Sequence, residues 1–88
     1  MIRVSFTPRF KRSYKKLPKH IRDDFDIKIT LFMEDPNNPS LKTHKLMGKL
    51  RECLAFRLKN GFRVLFEYTD SRSVNLLAVG SHDIYKQF

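Results

Sequence analysis

The sequence predicts an α+β domain of two layers: one strand, two helices, then a three-stranded antiparallel meander. Three observations carry that prediction. Residues 2–6 alternate apolar and polar, residues 8–33 repeat their apolar side chains at helical spacing, and alternation returns from residue 52 around an Asn-Gly pair. At 88 residues the chain is one domain, 1–88, without an internal repeat or a low-complexity tract.

Each element has a local cause. Ile2-Arg3-Val4-Ser5-Phe6 reads as a short strand with period two. Thr7-Pro8 supplies a helix N-cap followed by proline at the first helical position, where the missing amide costs nothing. Phe10, Tyr14 and Leu17 then share a helical face, with Lys11, Arg12, Lys15 and Lys16 mostly on others, until Pro18 breaks or kinks the run. A second helix from about Lys19 to Met33 places Ile21, Phe25, Ile29 and Phe32 on one stripe. Asp23 and Asp24 sit near its start, where the helix dipole favours negative charge. Residues 34–40, Glu-Asp-Pro-Asn-Asn-Pro-Ser, form a loop too short to separate two domains.

The second half reads as sheet. From Glu52 to Lys59, Leu54, Phe56 and Leu58 alternate with Cys53, Ala55, Arg57 and Lys59. Asn60-Gly61 marks a hairpin, and the next strand, Gly61 to Tyr68, sets Phe62, Val64, Phe66 and Tyr68 opposite Arg63, Leu65 and Glu67. After a turn at Thr69–Ser73, the apolar strand Val74–Gly80 is expected at the sheet centre. If the helices cover the Leu54/Phe56/Leu58 face, Arg57 and Arg63 share the opposite, open face, with Glu67 as the one acidic side chain in reach.

Composition narrows the partners. Eighteen Lys and Arg against nine Asp and Glu give a formal charge of +9. Residues 1–22 hold eight basic side chains and no acid; residues 41–63 hold seven basic and only Glu52; the segment between carries five acids and one lysine. Such blocks favour a polyanionic ligand. The single Cys53 forms no internal disulfide and, with His20, His44 and His82 scattered, offers no zinc ligand set, so neither a metal nor another cofactor is expected. No apolar run reaches the roughly 20 residues that span a bilayer, and the first six residues lack the apolar core of a signal peptide. A cytoplasmic protein that does not engage membranes is the expectation.

Several strings, taken in order, resemble the RelE/ParE superfamily of bacterial toxins of type II toxin–antitoxin systems. They are Phe6-Thr7-Pro8-Arg9-Phe10, Lys15-Lys16-Leu17-Pro18, His44-Lys45-Leu46-Met47-Gly48, Phe56-Arg57-Leu58, Gly61-Phe62-Arg63-Val64-Leu65-Phe66 and Val79-Gly80-Ser81-His82-Asp83-Ile84-Tyr85. The resemblance covers nearly the whole chain. It implies a four-stranded sheet with two N-terminal helices and a cognate antitoxin as partner. In the RelE branch it implies endoribonuclease cleavage of mRNA on the ribosome; the ParE branch instead inhibits DNA gyrase without cleaving anything. Arg57 and Arg63 match basic positions of the RelE type, whereas Ala55 stands where that type has another basic residue. His82 occupies a position that is arginine in some members and histidine in others, and Tyr85 resembles a tyrosine that stacks on a base, at a shorter spacing.

These residues suit metal-independent transesterification, in which the RNA 2′-OH attacks the adjacent phosphate. His82 is then the general acid or base, with the acid role expected and its partner left open. Arg57 and Arg63 hold the developing phosphorane charge, and Tyr85, with Phe88, holds an unstacked base. Lys45, Lys49 and Arg51 are expected on flanking phosphates, and Lys11, Lys15, Lys16 and Lys19 on 16S ribosomal RNA. The plainer alternatives are solvated arginines on an exposed sheet face, and Tyr85 and Phe88 sealing a core edge. His20 and His44 read as structural or surface residues, His44 being the candidate second base, and Cys53 as a packing residue.

Overall fold

Seven regular elements follow one another: β1 (Arg3–Phe6), α1 (Pro8–Lys15), α2 (Lys19–Glu34), β2 (His44–Lys45), β3 (Leu54–Arg57), β4 (Arg63–Asp70) and β5 (Ser73–Gly80). The structure is a computed structural model that describes residues 1–50 and 52–87, without the side chains of Lys49 and Gln87. The strands form one sheet in the order β1-β5-β4-β3-β2. β1 runs parallel to β5 and the other pairs are antiparallel, so the strand–helices–meander order holds and the apolar β5 lies inside the sheet. β2 is a fifth strand beyond the four that the family resemblance implied. Two residues are too few for alternation to register in sequence.

Thr7 starts α1 and fastens it. Its hydroxyl oxygen accepts from the Phe10 amide (3.1 Å) and donates to the Leu76 carbonyl (2.8 Å) on β5. Further along, Ser13 Oγ accepts from the Val79 amide at 3.0 Å. Pro18 separates the helices by standing at the N-cap of α2. The stripe of α2 lands on the sheet as its spacing predicts: Ile21, Phe25 and Phe32 are buried and Ile29 is partly so. The Phe32 ring stacks on Phe56 at 5.0 Å and meets Phe66 edge-on at 4.9 Å. Val64, Val74, Leu76 and Val79 complete this core.

Two further features depart from the sequence expectation. Asp24 is more than a helix-dipole residue: it is only 4% exposed, accepting the Lys59 amide at 2.8 Å and Lys28 Nζ at 3.2 Å. It thereby ties α2 to the β3–β4 hairpin. Asn60 (φ 57°, ψ 31°) and Gly61 (φ 77°) both take the left-handed conformation that a two-residue hairpin turn demands. The Asn60 amide nitrogen also lies 3.2 Å from His20 Nε2, a second tie to α2.

The other departure concerns the far sheet face, which is not wholly open. Cys53, Leu65 and Ile84 form a second small core there, flanked by Leu46, Leu50, Leu77 and Tyr85. A register shift between β4 and β5 pairs Leu65 with Ala78 and Phe66 with Leu76, leaving Leu77 as an extra residue. Leu77 thus adds apolar surface to this face, and a short 3₁₀ segment, His82–Gln87, folds over it. No helix among the described residues is long and apolar enough to cross a membrane.

Candidate functional site

Strand register builds the site. Arg57 on β3 lies directly opposite Arg63 on β4, and Arg63 opposite Gly80 on β5. Directly opposed residues project to one face, here the face away from the helices. Arg57 is exposed and Arg63 half-buried. Arg63 Nη1 donates to the Tyr85 hydroxyl at 3.4 Å, and its guanidinium carbon lies 5.7 Å from the Tyr85 ring centroid. Arg63 Nε is buried without a hydrogen-bond partner among the described residues. Neither arginine has a carboxylate partner among the described residues. Glu67, the acid in sequence reach, instead accepts from the Asn75 amide at 3.4 Å.

The C-terminal 3₁₀ segment brings two more groups to this end of the sheet. Ile84 anchors it in the second core, and Gly80 permits the approach: a Cβ on Gly80 would overlap the Ile84 side chain. Tyr85 is thereby set against Arg63. His82 begins the same segment, 71% exposed, with Nε2 3.4 Å from Asp83 Oδ1. It makes no hydrogen bond or ion pair with Arg57, Arg63 or Tyr85.

On the opposite flank, His44 pairs with Ala55, so it shares the arginine face one diagonal step from Arg57. Its Nδ1 is 3.3 Å from the Lys42 carbonyl. Lys45 pairs with Leu54, whose side chain packs on the helix-side core, so the exposed Lys45 faces the helix side rather than the arginines. His44 thus shares the face of the arginines, and Lys45 does not. A one-residue offset in a strand switches faces, and without a recognisable β2 the parity was unreadable.

The remaining basic residues divide. Lys11 and Lys15 flank an apolar cleft of about 520 Å³ lined by Phe6, Phe10, Tyr14 and Phe25, on the helix layer away from the arginines. Lys16 borders a smaller cleft beside Gly80, Ser81 and Asp83, and Lys19 is paired with Asp23 at 2.9 Å. Arg51, Phe88 and the side chain of Lys49 lie outside the described residues. Cys53 is a packing residue; burial, then Glu67 and Glu52, push its thiol pKa up. Sequence reasoning missed the anchoring roles of Asp24, Gly80 and Ile84. For Asp24 a signal existed: Asp24 and Lys28 fall beside Ile21 and Phe25 on the buried stripe, four residues apart.

A mixed five-stranded sheet with two helices on one face matches the RelE-like toxin fold. Solved structures agree. YafQ from E. coli strain BL21(DE3) superposes with a TM-score of 0.77 at 13% identity, covering 97% of this chain and 98% of that one. Isolated E. coli RelE gives 0.71 at 22% identity (99% and 94% covered). The toxin–antitoxin complex RelB–RelE from Methanococcus jannaschii gives 0.75 at 21% identity (96% and 98% covered). A comparison with curated protein sequences gives no match. The chain belongs to the family of ParE-like toxins of type II bacterial toxin–antitoxin systems, whose model matches residues 4–88.

Proposed function

We propose that this toxin is a metal-independent endoribonuclease that cleaves mRNA on the ribosome and so inhibits translation. The observation that carries the reading is the Arg57–Arg63 pair, two arginines directly opposed in register with no carboxylate partner among the described residues and Tyr85 against the second. Opposed like charges are unfavourable in a sheet, and an anion lying across them removes that penalty.

In the reaction the ribose 2′-oxygen forms a bond to phosphorus as a base takes its proton. The bond from phosphorus to the 5′ oxygen then breaks as an acid protonates that oxygen. His82 is the acid. His44 is the base: when Nδ1–H donates to the Lys42 carbonyl, Nε2 is left as the basic nitrogen. Arg57 and Arg63 hold the phosphorane oxygens, and Tyr85 offers its ring face to an unstacked base. As His82 is paired with Asp83 alone among the described residues, the acid turns toward the scissile phosphate when RNA is bound. Lys49 and Arg51 bind flanking phosphates, Phe88 joins Tyr85 on the unstacked base, and Lys11, Lys15, Lys16 and Lys19, with Lys45 on the helix side, contribute remote RNA contacts. The protein acts in the cytoplasm, and a cognate antitoxin covers the arginine face.

Purified toxin added to translating ribosomes should leave mRNA ends bearing a 2′,3′-cyclic phosphate and a 5′-OH, and His82→Ala should abolish them. The matched family model favours a second reading, a ParE-like inhibitor of DNA gyrase. Intact mRNA together with accumulating gyrase-linked DNA breaks would decide for it.

A further inference from the structure

Where β2 ends, β3 becomes the open edge of the sheet, and a pocket of about 220 Å³ forms between α2, the 39–41 turn and the hairpin. It is lined by Lys28, Ser40, Lys42, Arg57, Leu58, Lys59 and Gly61. Four of these are cations. Asp24, the carboxylate bonded to Lys28 and to the Lys59 backbone, is buried and already accepts from Lys28 Nζ and the Lys59 amide. Lys42, Arg57 and Lys59 have no ion-pair partner among the described residues. Lys42 also holds a left-handed backbone (φ 51°, ψ 41°), which glycine or asparagine adopts at less cost, so the turn itself gives no reason for lysine.

We propose that this pocket is a phosphate subsite for single-stranded RNA, taking a backbone phosphate that flanks the one held between Arg57 and Arg63. Arg57 belongs to both sites. It lies beside Arg63 in the sheet and also lines the pocket, so a strand laid over the arginine face continues past the sheet edge onto Lys42 and Lys59. The ligand is an oxyanion rather than a base edge, because the lining offers cationic donors and no aromatic platform, and the Ser40 hydroxyl is committed to Asn38 Oδ1 at 2.8 Å. The subsite therefore contributes affinity and strand path, not sequence choice. The inference rests on the ribonuclease reading of the arginine face.

The test uses an end-labelled, fully 2′-O-methylated RNA oligonucleotide, which cannot be cleaved, with binding measured against salt. Lys42→Asn combined with Lys59→Gln removes two charges while keeping the left-handed turn and the amide bonded to Asp24. Each phosphate contact on a single strand contributes about 0.7 to the slope of log K against log salt. The double variant, which empties a subsite for one phosphate, should therefore lose about 0.7 from the wild-type slope, whereas Arg72→Gln, at the other end of the sheet, should not fall by that amount. Inorganic phosphate should shift the amide resonances of Ser40, Lys42 and Gly61 in wild type but not in the double variant.

A double variant with the slope of Arg72→Gln overturns the subsite, and leaves the ribonuclease reading standing if wild type still cuts mRNA. Wild type that binds no RNA and cuts none overturns both. An unchanged RNA slope with weakened antitoxin binding would assign the pocket to an acidic protein segment and overturn the RNA assignment.

Discussion

Arg57 and Arg63 face each other directly across the β3–β4 pair, with Tyr85 against the second of them. Like charges opposed in this way destabilise a sheet pair by a few tenths of a kcal/mol to about 1. Arg57→Ala should therefore leave the melting temperature unchanged or raise it, while cleavage on the ribosome falls about 100-fold. Thermal unfolding and single-turnover cleavage, measured together, check this. A variant that loses stability and activity in parallel would make Arg57 structural.

Gly80 and Ile84 offer a packing test. A methyl group on Gly80 would meet the Ile84 side chain, so Gly80→Ala should cost about 1–3 kcal/mol as overpacking does. In an Ile84→Ala background the same change should cost much less, because the obstruction is gone. Denaturant unfolding of the four proteins gives the coupling; additive costs would refute a direct clash.

Asp24 joins α2 to the hairpin from a buried position. Asp24→Ala strands the Lys59 amide and Lys28 Nζ, at a cost of about 1–3 kcal/mol for the unpaired groups. Hydrogen exchange should quicken first at Lys59–Phe62, and cleavage should fall although residue 24 touches no RNA. Unchanged exchange in the hairpin would show that the tie carries no strain.

The Cys53 thiol is pushed above its ordinary range by burial, then by Glu67 and Glu52. Alkylation by iodoacetamide should accordingly need more alkaline solution in the folded protein than in urea. The linkage has a definite sign. The folded state holds the proton more tightly, so the stabilisation is complete below the unfolded thiol's pKa of about 8.5 and is lost as pH rises through the higher folded value. Denaturation midpoints recorded from neutral to alkaline pH should fall for wild type more than for Cys53→Ala.

Periodicity made much of this molecule legible. The Ile21/Phe25/Ile29/Phe32 stripe, the Asn60-Gly61 turn and the alternation through Phe56 and Val64 all reside in short windows of sequence. Their parity alone places Arg57 and Arg63 on one face. What could not be read depends on contacts distant in the chain. The faces taken by His44 and Lys45 follow from their pairing with β3. The burial of Asp24 depends on a hairpin 35 residues away. The covered far face depends on an extra residue in β5 that no local pattern announces. The pairing of His82 with Asp83 rather than with the arginines is a side-chain orientation, beyond the reach of residue spacing.

Ile84 is one of three buried side chains in the second core, and the segment that carries it also presents His82 and Tyr85. A frameshift or early stop just before it would bare Cys53 and Leu65 to water at the same stroke as it disarms the protein. Cells selected for survival under the unrestrained toxin should thus yield two kinds of escape. Point changes at Arg57 should leave soluble, inert protein; lesions in the last seven residues should leave protein that precipitates or is degraded.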